Sequence, residues 1–274
     1  MLIGAALLSA GALSACSGSR SESLDVSGST TILPIAEAAG DAFHGLHPDV
    51  KVLVSGLGSS AGIEAVSAGT AQIGTSSRDL QPSEKGLGLV DTPIAYDGIA
   101  VIVNASNPLS GLTTRQLRDV FAGRVTNWKQ LGGDDRPIDL VNRDESSGTR
   151  EAFSKLVMNG VPFDPRAAVL PGTGQVRDVV ARAPGSIGYI SIGFVKPRFT
   201  NIQVKALAVD GIAANGANVA NKTYPIGRVL HFFTRGQPTG VAEQFIKYVL
   251  SADVQKSIVV DAGFVPIAEG ARSD

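Results

Sequence analysis

Four short turns rich in serine, threonine and glycine are the residues of this sequence best suited to chemistry. They are Gly28-Ser29-Thr30-Thr31, Gly58-Ser59-Ser60, Ser76-Ser77-Arg78 and Ser147-Gly148-Thr149. Each is predicted to follow a strand and open a helix, where backbone N–H groups lack partners within the helix and the helix dipole favours an anion. Small residues let the backbone approach an oxyanion, and hydroxyl groups add further donors. The four turns together therefore suit a compact anion.

Two arginines lie close to these turns in the sequence. Arg143 precedes Ser147 by four residues, so a tight turn brings its guanidinium to the amides that follow. The planar fork of an arginine matches phosphate geometry with two parallel hydrogen bonds. Arg78 either adds a second cation or pairs with Asp79, and the sequence leaves both open. Any one turn is more often an ordinary helix cap, but the combination predicts a site for a tetrahedral oxyanion.

The elements that must position these turns form an α/β pattern. From Leu24 onward short apolar runs alternate with helical periodicity, which is typical of βαβ units. Strands are predicted at 24–26, 50–54, 94–103, 137–142, 187–192, 204–209 and 228–233. Helices are predicted to start near 32, 61, 113, 149 and 172, with a last one over 240–250 that continues to 260. The turns would thus lie at the carboxyl ends of strands.

The composition excludes several classes of protein. A chain of 274 residues with 43% hydrophobic residues and 32 glycines is too apolar for disorder and suits an α/β fold of one or two domains. The net charge of −1 gives no basic field for nucleic acid, so no nucleic-acid partner is expected. The three histidines supply no metal set, and we expect neither a metal nor another cofactor.

The first residues predict export. Residues 1–15 form an uncharged apolar run that is too short to span a bilayer and fits a signal peptide. Leu13-Ser14-Ala15-Cys16 resembles the lipobox of bacterial lipoproteins, which implies that Cys16 is acylated and becomes the mature N-terminus. The alternative is an ordinary signal peptide with an incidental cysteine. With residues 17–23 as a tether, we expect an extracytoplasmic protein anchored to the cell membrane through Cys16.

One motif makes the resemblance to a known family specific. Arg143-Asp144-Glu145-Ser146-Ser147-Gly148-Thr149-Arg150 resembles the Arg-x-x-x-Ser-Gly-Thr signature of the phosphate-binding proteins of ABC importers. Other segments resemble that family in the same order, namely Phe121-Ala122-Gly123 with Asn127-Trp128, Gly188-Tyr189-Ile190-Ser191 and Gly263-Phe264-Val265-Pro266. The similarity extends over about residues 24–267, which is nearly the whole chain after the leader.

The resemblance implies a two-lobed type II periplasmic-binding-protein fold with the ligand in a cleft between the lobes. Residues 24–102 with about 195–274 would form the first lobe and residues 103–194 the second, with crossovers over 94–103 and near 194–204. Phosphate would be held by the following residues: Thr30, Thr31, Ser59, Ser77, Arg143, Ser147, Gly148 and Thr149. Further candidates are Ser29, Ser60 and Arg78. The family is not enzymatic, and we expect a monomer that delivers phosphate to permease subunits of an ABC importer.

One departure from the family leaves the ligand open. Many members carry an aspartate where this chain has Ser77, and that carboxylate accepts the proton of a protonated phosphate. Sulfate brings no proton, so a carboxylate facing it is penalised. Ser77 can accept a hydrogen bond but cannot repel sulfate as a charge would. Asp144 or Glu145 could supply the acceptor, or both could be solvated turn residues, and sulfate, molybdate or a small organic phosphate stay open as ligands.

Two other function classes fit short patterns. Gly58-Ser59-Ser60-Ala61-Gly62 matches the nucleophile elbow of serine hydrolases, and His231 follows in the order that such an enzyme requires. Gly56-Leu57-Gly58-Ser59-Ser60-Ala61 matches a dinucleotide fingerprint, with Asp79 about twenty residues further on. Both patterns are common in glycine- and serine-rich sequence, no glycine-rich oxyanion motif precedes the first, and export separates the second from soluble nicotinamide pools.

Overall fold

The computed structural model describes residues 22–195 and 203–267. The predicted leader with Cys16 lies outside these residues, as does most of the predicted tether. Glu22 and Ser23, which were expected in the tether, belong to the first strand. In the part of the chain that is described, no helix combines the length and apolar character needed to cross a membrane.

The described residues alternate strands and helices. The strands are β1 Glu22–Gly28, β2 Val50–Gly56, β3 Ile73–Ser76, β4 Leu89–Asn104, β5 Gly111–Leu112, β6 Asp139–Arg143, β7 Ala168–Leu170, β8 Ser186–Ser191, β9 Val204–Ala206, β10 Ala208–Val209, β11 Gly227–Arg235 and β12 Val265–Pro266. The α-helices are α1 Leu33–Leu46, α2 Ser59–Ala68, α3 Thr114–Phe121, α4 Gly148–Phe153, α5 Thr173–Arg182, α6 Gly216–Ala220, α7 Gly240–Val249 and α8 Ala252–Val254. Single 3₁₀ turns lie at Lys85–Leu87, Trp128–Leu131 and Ile192–Phe194, and π-helical turns continue α4 and α8 over Ser154–Met158 and Gln255–Val259.

Local sequence explains the main helices. In α1, Pro34 occupies the first turn, where its missing N–H removes no hydrogen bond, and the buried face carries Ile35, Ala39 and Phe43 at helical spacing. At the start of α3, where a helix was predicted to begin, Thr113 and Gln116 form a capping box. These helices therefore begin where sequence rules place them.

One long strand connects two halves of the main sheet. The strand order is β2-β1-β3-β11-β4-β8-β6-β7, with β9 and β12 also paired to β4. The first half of β4 pairs with β11, and its second half pairs with β8, both antiparallel. Strands β1, β2 and β3 are parallel to one another, as are β6, β7 and β8. The predicted strand 94–103 is confirmed as part of β4.

The buried apolar residues form two large cores, one around the first half of this strand and one around its second half. Ile94 belongs to the core that also holds the buried faces of α1 and α7, whereas Ile99 belongs to the core around α3 and α5. Leu207 and Ile226 pack in the second core, although residues from about 195 onward were expected in the first lobe. The physical reason is that β9 pairs with the second half of β4.

Two sequence expectations about the elements need correction. Residues 204–209 form two short strands, β9 and β10, because β9 pairs with β4 and β10 with β5. The turn Ser76-Ser77-Arg78 follows β3 as expected, but no α-helix starts there, and the next helical turn is Lys85–Leu87. Ser77 therefore contributes its hydroxyl and its main chain without a helix N-terminus behind them.

Candidate functional site

Two pairs of threonine hydroxyls meet across the middle of the molecule. The Oγ1 atoms of Thr30 and Thr173 are 3.0 Å apart, and those of Thr31 and Thr149 are 3.2 Å apart. One member of each pair follows β1, and the other lies in the first turn of α4 or α5. Residues separated by more than a hundred positions thus bring their hydroxyls to one place.

A serine pair lies beside them. The Oγ atoms of Ser59 and Ser77 are 3.4 Å apart, and the backbone N–H of Ser77 donates to Ser59 Oγ at 3.1 Å. Gly148 lies directly against both, since a Cβ at that position would come within 2.3 Å of Ser59 Oγ and 2.9 Å of Ser77 Oγ. Only a glycine lets the start of α4 approach these hydroxyls so closely.

Arg143 reaches this cluster from the end of β6. Its Nη1 donates to the hydroxyl of Thr173 at 3.1 Å, and its Nη2 donates to that of Thr30 at 3.2 Å. The carbonyl oxygens of Leu170 and Pro171 accept from Nε and Nη2 and fix the plane of the guanidinium. The side chain is almost completely buried. The predicted arginine therefore points at the hydroxyls from one side, held by neutral acceptors.

A second arginine, which the sequence reasoning missed, contacts the other threonine pair of the cluster. Nη1 of Arg228, at the start of β11, donates to Thr149 Oγ1 at 2.9 Å and to the carbonyl oxygen of Ser77 at 3.1 Å. Its Nη2 donates to Thr31 Oγ1 at 3.3 Å. The same guanidinium forms an ion pair with Asp97, which is fully buried in β4. The hydroxyl cluster thus lies between two guanidinium groups.

Burial dominates the electrostatics of these three charged groups. It lowers the pKa of Arg143 and of Arg228, and the repulsion between the two cations lowers that of Arg143 further. Burial also raises the pKa of Asp97, although Arg228 and the hydroxyl of Ser191 both favour its charged form. A guanidinium keeps its proton at any ordinary pH, so the site combines two buried positive charges with one buried carboxyl group.

Two further predicted residues, Ser147 and Ser29, shape the backbone around the site. Ser147 is the N-cap of α4, and its Oγ accepts from the backbone N–H of Arg150. Ser29 makes a local turn, because its Oγ accepts from the backbone N–H of Thr31 while its own N–H donates to Thr75. Both side chains are therefore engaged in shaping the backbone that carries the threonines.

Arg78 and Ser60 lie outside the hydroxyl cluster. The guanidinium of Arg78 makes two hydrogen bonds to the carboxylate of Glu84 and lies 2.6 Å from Glu151. It also donates to Ser60 Oγ, whereas the carboxylate of Asp79 is paired with other residues. Arg78 is thus neutralised by two carboxylates, and the second cation beside the hydroxyls is Arg228.

Two of the missed residues carried a sequence signal. Gly172-Thr173-Gly174 has the same design as the four turns, since it follows a strand and opens a helix. A charged residue inside the apolar run 94–103 marks Asp97 as a special position. Nothing local distinguishes Arg228, because its role depends on a partner 131 positions away.

The serine-hydrolase pattern does not match this geometry. Ser60 Oγ accepts from Arg78, whereas the Nδ1 atom of His231 lies 2.8 Å from Asp91, so the described hydrogen bonds contain no pair of serine nucleophile and histidine base. Among the described residues, no group of three or more histidine, cysteine, aspartate or glutamate side chains could hold a metal ion.

Comparison with known proteins identifies the family. Residues 14–253 match the PBP superfamily domain. The phosphate-binding protein PstS of Bacillus subtilis is 37% identical over 254 residues, which cover 91% of this chain and 82% of that protein. A substrate-binding protein from Clostridium perfringens with bound phosphate superposes with a TM-score of 0.84 at 37% identity, covering 90% of this chain and 100% of that one.

A second solved structure gives the same result. An ABC-type phosphate transport receptor from Vibrio cholerae has a TM-score of 0.74 at 32% identity and covers 89% of this chain and 100% of its own. The type II periplasmic-binding-protein fold expected from the sequence is thereby confirmed. The chain belongs to the PstS family of phosphate-binding proteins within the PBP superfamily.

Proposed function

We propose that this chain is an extracytoplasmic, non-enzymatic substrate-binding protein that captures inorganic phosphate and delivers it to an ABC importer. Its relatives are named phosphate-binding proteins, and a solved relative contains bound phosphate. The observation that carries the proposal is the convergence of hydroxyls on the Arg143 guanidinium from both halves of the fold.

The two halves act as lobes in this proposal. Residues 22–98 with 227–267 would form one lobe and residues 99–195 with 203–226 the other, as the two cores suggest. Thr30, Thr31, Ser59 and Ser77 then belong to the first lobe together with Arg228. Arg143, Gly148, Thr149 and Thr173 belong to the second. Phosphate would bind between these two groups of donors.

The chemistry of capture follows from these donors. Each hydroxyl that now bonds a neighbouring hydroxyl can rotate and donate to a phosphate oxygen instead. Arg143 donates to the hydroxyls of Thr173 and Thr30, and Arg228 donates to that of Thr149. An anion that binds among these hydroxyls would therefore lie within range of both guanidinium groups. Closure of the lobes removes water, which strengthens every charge-assisted bond and holds the anion until the permease opens the protein.

We further propose that Cys16 is the lipid anchor and that the protein is a monomer. The lipobox-like sequence Leu13-Ser14-Ala15-Cys16 supports the anchor. Mass spectrometry of the membrane-bound protein should find a lipid-modified N-terminal peptide that begins at Cys16. A Cys16→Ser variant that stayed on the membrane would contradict the anchor.

Calorimetric titration with phosphate, sulfate and molybdate tests the function. We expect phosphate to bind the tightest of the three. Arg143→Ala removes a charged donor, worth roughly 1.5–3 kcal/mol for each bond, whereas Ser59→Ala removes a neutral one, worth about 1 kcal/mol. Arg143→Ala should therefore weaken phosphate binding by a larger factor. Tighter binding of sulfate or molybdate would assign the site to that oxyanion, and equal affinities of both variants and the parent would refute the site.

A further inference from the structure

The hydroxyl cluster is flanked by an unequal set of charges. Arg143 makes its hydrogen bonds to carbonyl and hydroxyl oxygens, and none of the ion pairs between described residues involves it. Arg228 is paired with Asp97 through Nε at 2.8 Å and Nη2 at 2.7 Å. One buried cation is therefore neutralised by a buried carboxylate, and the other is not.

The carboxylate of Asp97 lies close to the ligand donors without being one of them. Its Oδ1 accepts from the hydroxyl of Ser191, and its Oδ2 accepts from Arg228. Nη2 of Arg228 contacts both Asp97 and the hydroxyl of Thr31, so a single guanidinium separates the carboxylate from the anion site. Asp97 is fully buried, so water does not screen its charge.

Counting these charges gives a net value for the site. Two arginines and one aspartate leave one positive charge beside the hydroxyls. A singly charged anion balances that value, whereas a dianion leaves an excess negative charge in a buried site. Asp144 also acts on Arg143, but it is only half-buried and its carboxylate accepts from Ser146, so solvent screens it.

We propose that Asp97 is a specificity-determining residue, which sets the charge balance of the site so that it favours protonated, singly charged phosphate over the sulfate dianion. The inference rests on the proposed phosphate function. It assigns this role to a carboxylate of β4, because Ser77 in the turn after β3 contributes a hydroxyl and no charge. Asp97 acts through total charge and accepts no proton from the ligand.

A series of charge variants tests this proposal. Asp97→Asn raises the net charge of the site by one, and Arg228→Gln lowers it by one. The double variant with both substitutions returns the charge to that of the parent. Ser191→Ala is the control, because it removes a hydrogen bond to Asp97 without changing any charge. Calorimetry with phosphate and with sulfate, at one pH below and one above the second ionisation of phosphate, gives the ratio of the two affinities.

The ratio of the phosphate affinity to the sulfate affinity should follow the net charge of the site. A unit charge acting over several Å at an effective dielectric of about 20 changes the relative affinity of a dianion roughly tenfold or more. The preference for phosphate should fall by that factor in Asp97→Asn and rise in Arg228→Gln, although the latter binds both anions more weakly. It should return to within a few fold of the parent in the double variant and stay unchanged in Ser191→Ala.

The possible results distinguish a charge effect of Asp97 from a positioning effect, and both from failure of the proposed function. An Asp97→Asn variant that loses affinity for both anions by the same factor would show that Asp97 only positions Arg228. Removal of one member of a buried ion pair can prevent folding, in Arg228→Gln as in Asp97→Asn. Either single variant that folds decides the question, because an unchanged ratio in it overturns the proposal. The parent needs no substitution, and a phosphate affinity that is no higher at the pH below the second ionisation than at the pH above it also overturns the proposal. A parent that binds no phosphate refutes the proposed function itself.

Discussion

Replacement of Glu151 by glutamine should weaken phosphate binding although Glu151 lies outside the hydroxyl cluster. Its Oε2 lies 2.6 Å from Arg78 Nε and accepts from Gln81 Nε2 at 2.7 Å. Glu151 belongs to α4 in the second proposed lobe, whereas Arg78 and Gln81 belong to the first. The glutamine keeps the shape of the side chain and removes the charge, so the variant loosens a contact that forms only when the lobes meet.

The structure sets the size of this effect. The Glu151 side chain is 36% exposed, so solvent screens the ion pair and we assign it on the order of 1 kcal/mol. A weakened hydrogen bond to Gln81 adds about 0.5–1.5 kcal/mol. Since capture stabilises the closed arrangement, the loss should appear in the affinity, and about 1.5–2.5 kcal/mol corresponds to a roughly ten- to seventyfold weaker phosphate complex.

Glu84→Gln is the matched control. Glu84 pairs with the same arginine through two hydrogen bonds, but it lies six residues away in the same proposed lobe. We expect Glu84→Gln to lower the melting temperature while the phosphate affinity measured by calorimetry stays within a few fold of the parent. Stopped-flow dissociation should be faster only in Glu151→Gln. Equal loss of affinity in the two variants, or no loss in Glu151→Gln, would refute the reasoning.

Two further predictions concern Gly148 and His231. Gly148→Ala should abolish tight phosphate binding in calorimetry, because its Cβ would come within 2.3 Å of Ser59 Oγ. The control is Gly174→Ala, whose Cβ meets no atom within 4 Å and which should bind phosphate as the parent does. Retained affinity in Gly148→Ala would contradict the packing argument. Burial acts to lower the pKa of His231, but hydrogen bonds to two aspartates outweigh it and raise the pKa. Denaturant titrations should therefore find the parent most stabilised relative to His231→Gln below pH about 6.5, with the difference lost as the pH rises through the raised folded-state pKa; a difference that grows with pH would contradict this sign.

Much of the fold follows from local sequence. The capping box at Thr113 and the buried face of α1 were predictable, because capping and helical periodicity depend on residues a few positions apart. The turns after β1 and β2 and at the start of α4 were found for the same reason. The roles of these turn residues in phosphate binding stay predictions until the variants are measured.

The packing of residues 204–226 was not predictable from the sequence, because strand pairing is not local. Residues 204–209 read as one strand, but β9 pairs with Ile102–Asn104 and β10 pairs with β5, far back in the chain. No pattern within six residues tells which distant edge will accept them. The part of the chain between Val204 and Ile226 therefore packs with the second core, against the sequence expectation.

Local sequence does not determine which arginine contacts the hydroxyl cluster. The sequence made Arg143 a main candidate and Arg78 a further one, because both arginines lie beside the turns. A buried guanidinium must be paired with something, and its partner decides where its charge acts. Arg78 forms ion pairs with Glu84 and Glu151, so its charge is neutralised by carboxylates outside the hydroxyl cluster. Arg143 meets only neutral acceptors, which leaves its charge available to an anion. The identity of an anion site therefore depends less on where its cations lie in the sequence than on which hydroxyls and carboxylates each guanidinium contacts in the folded chain.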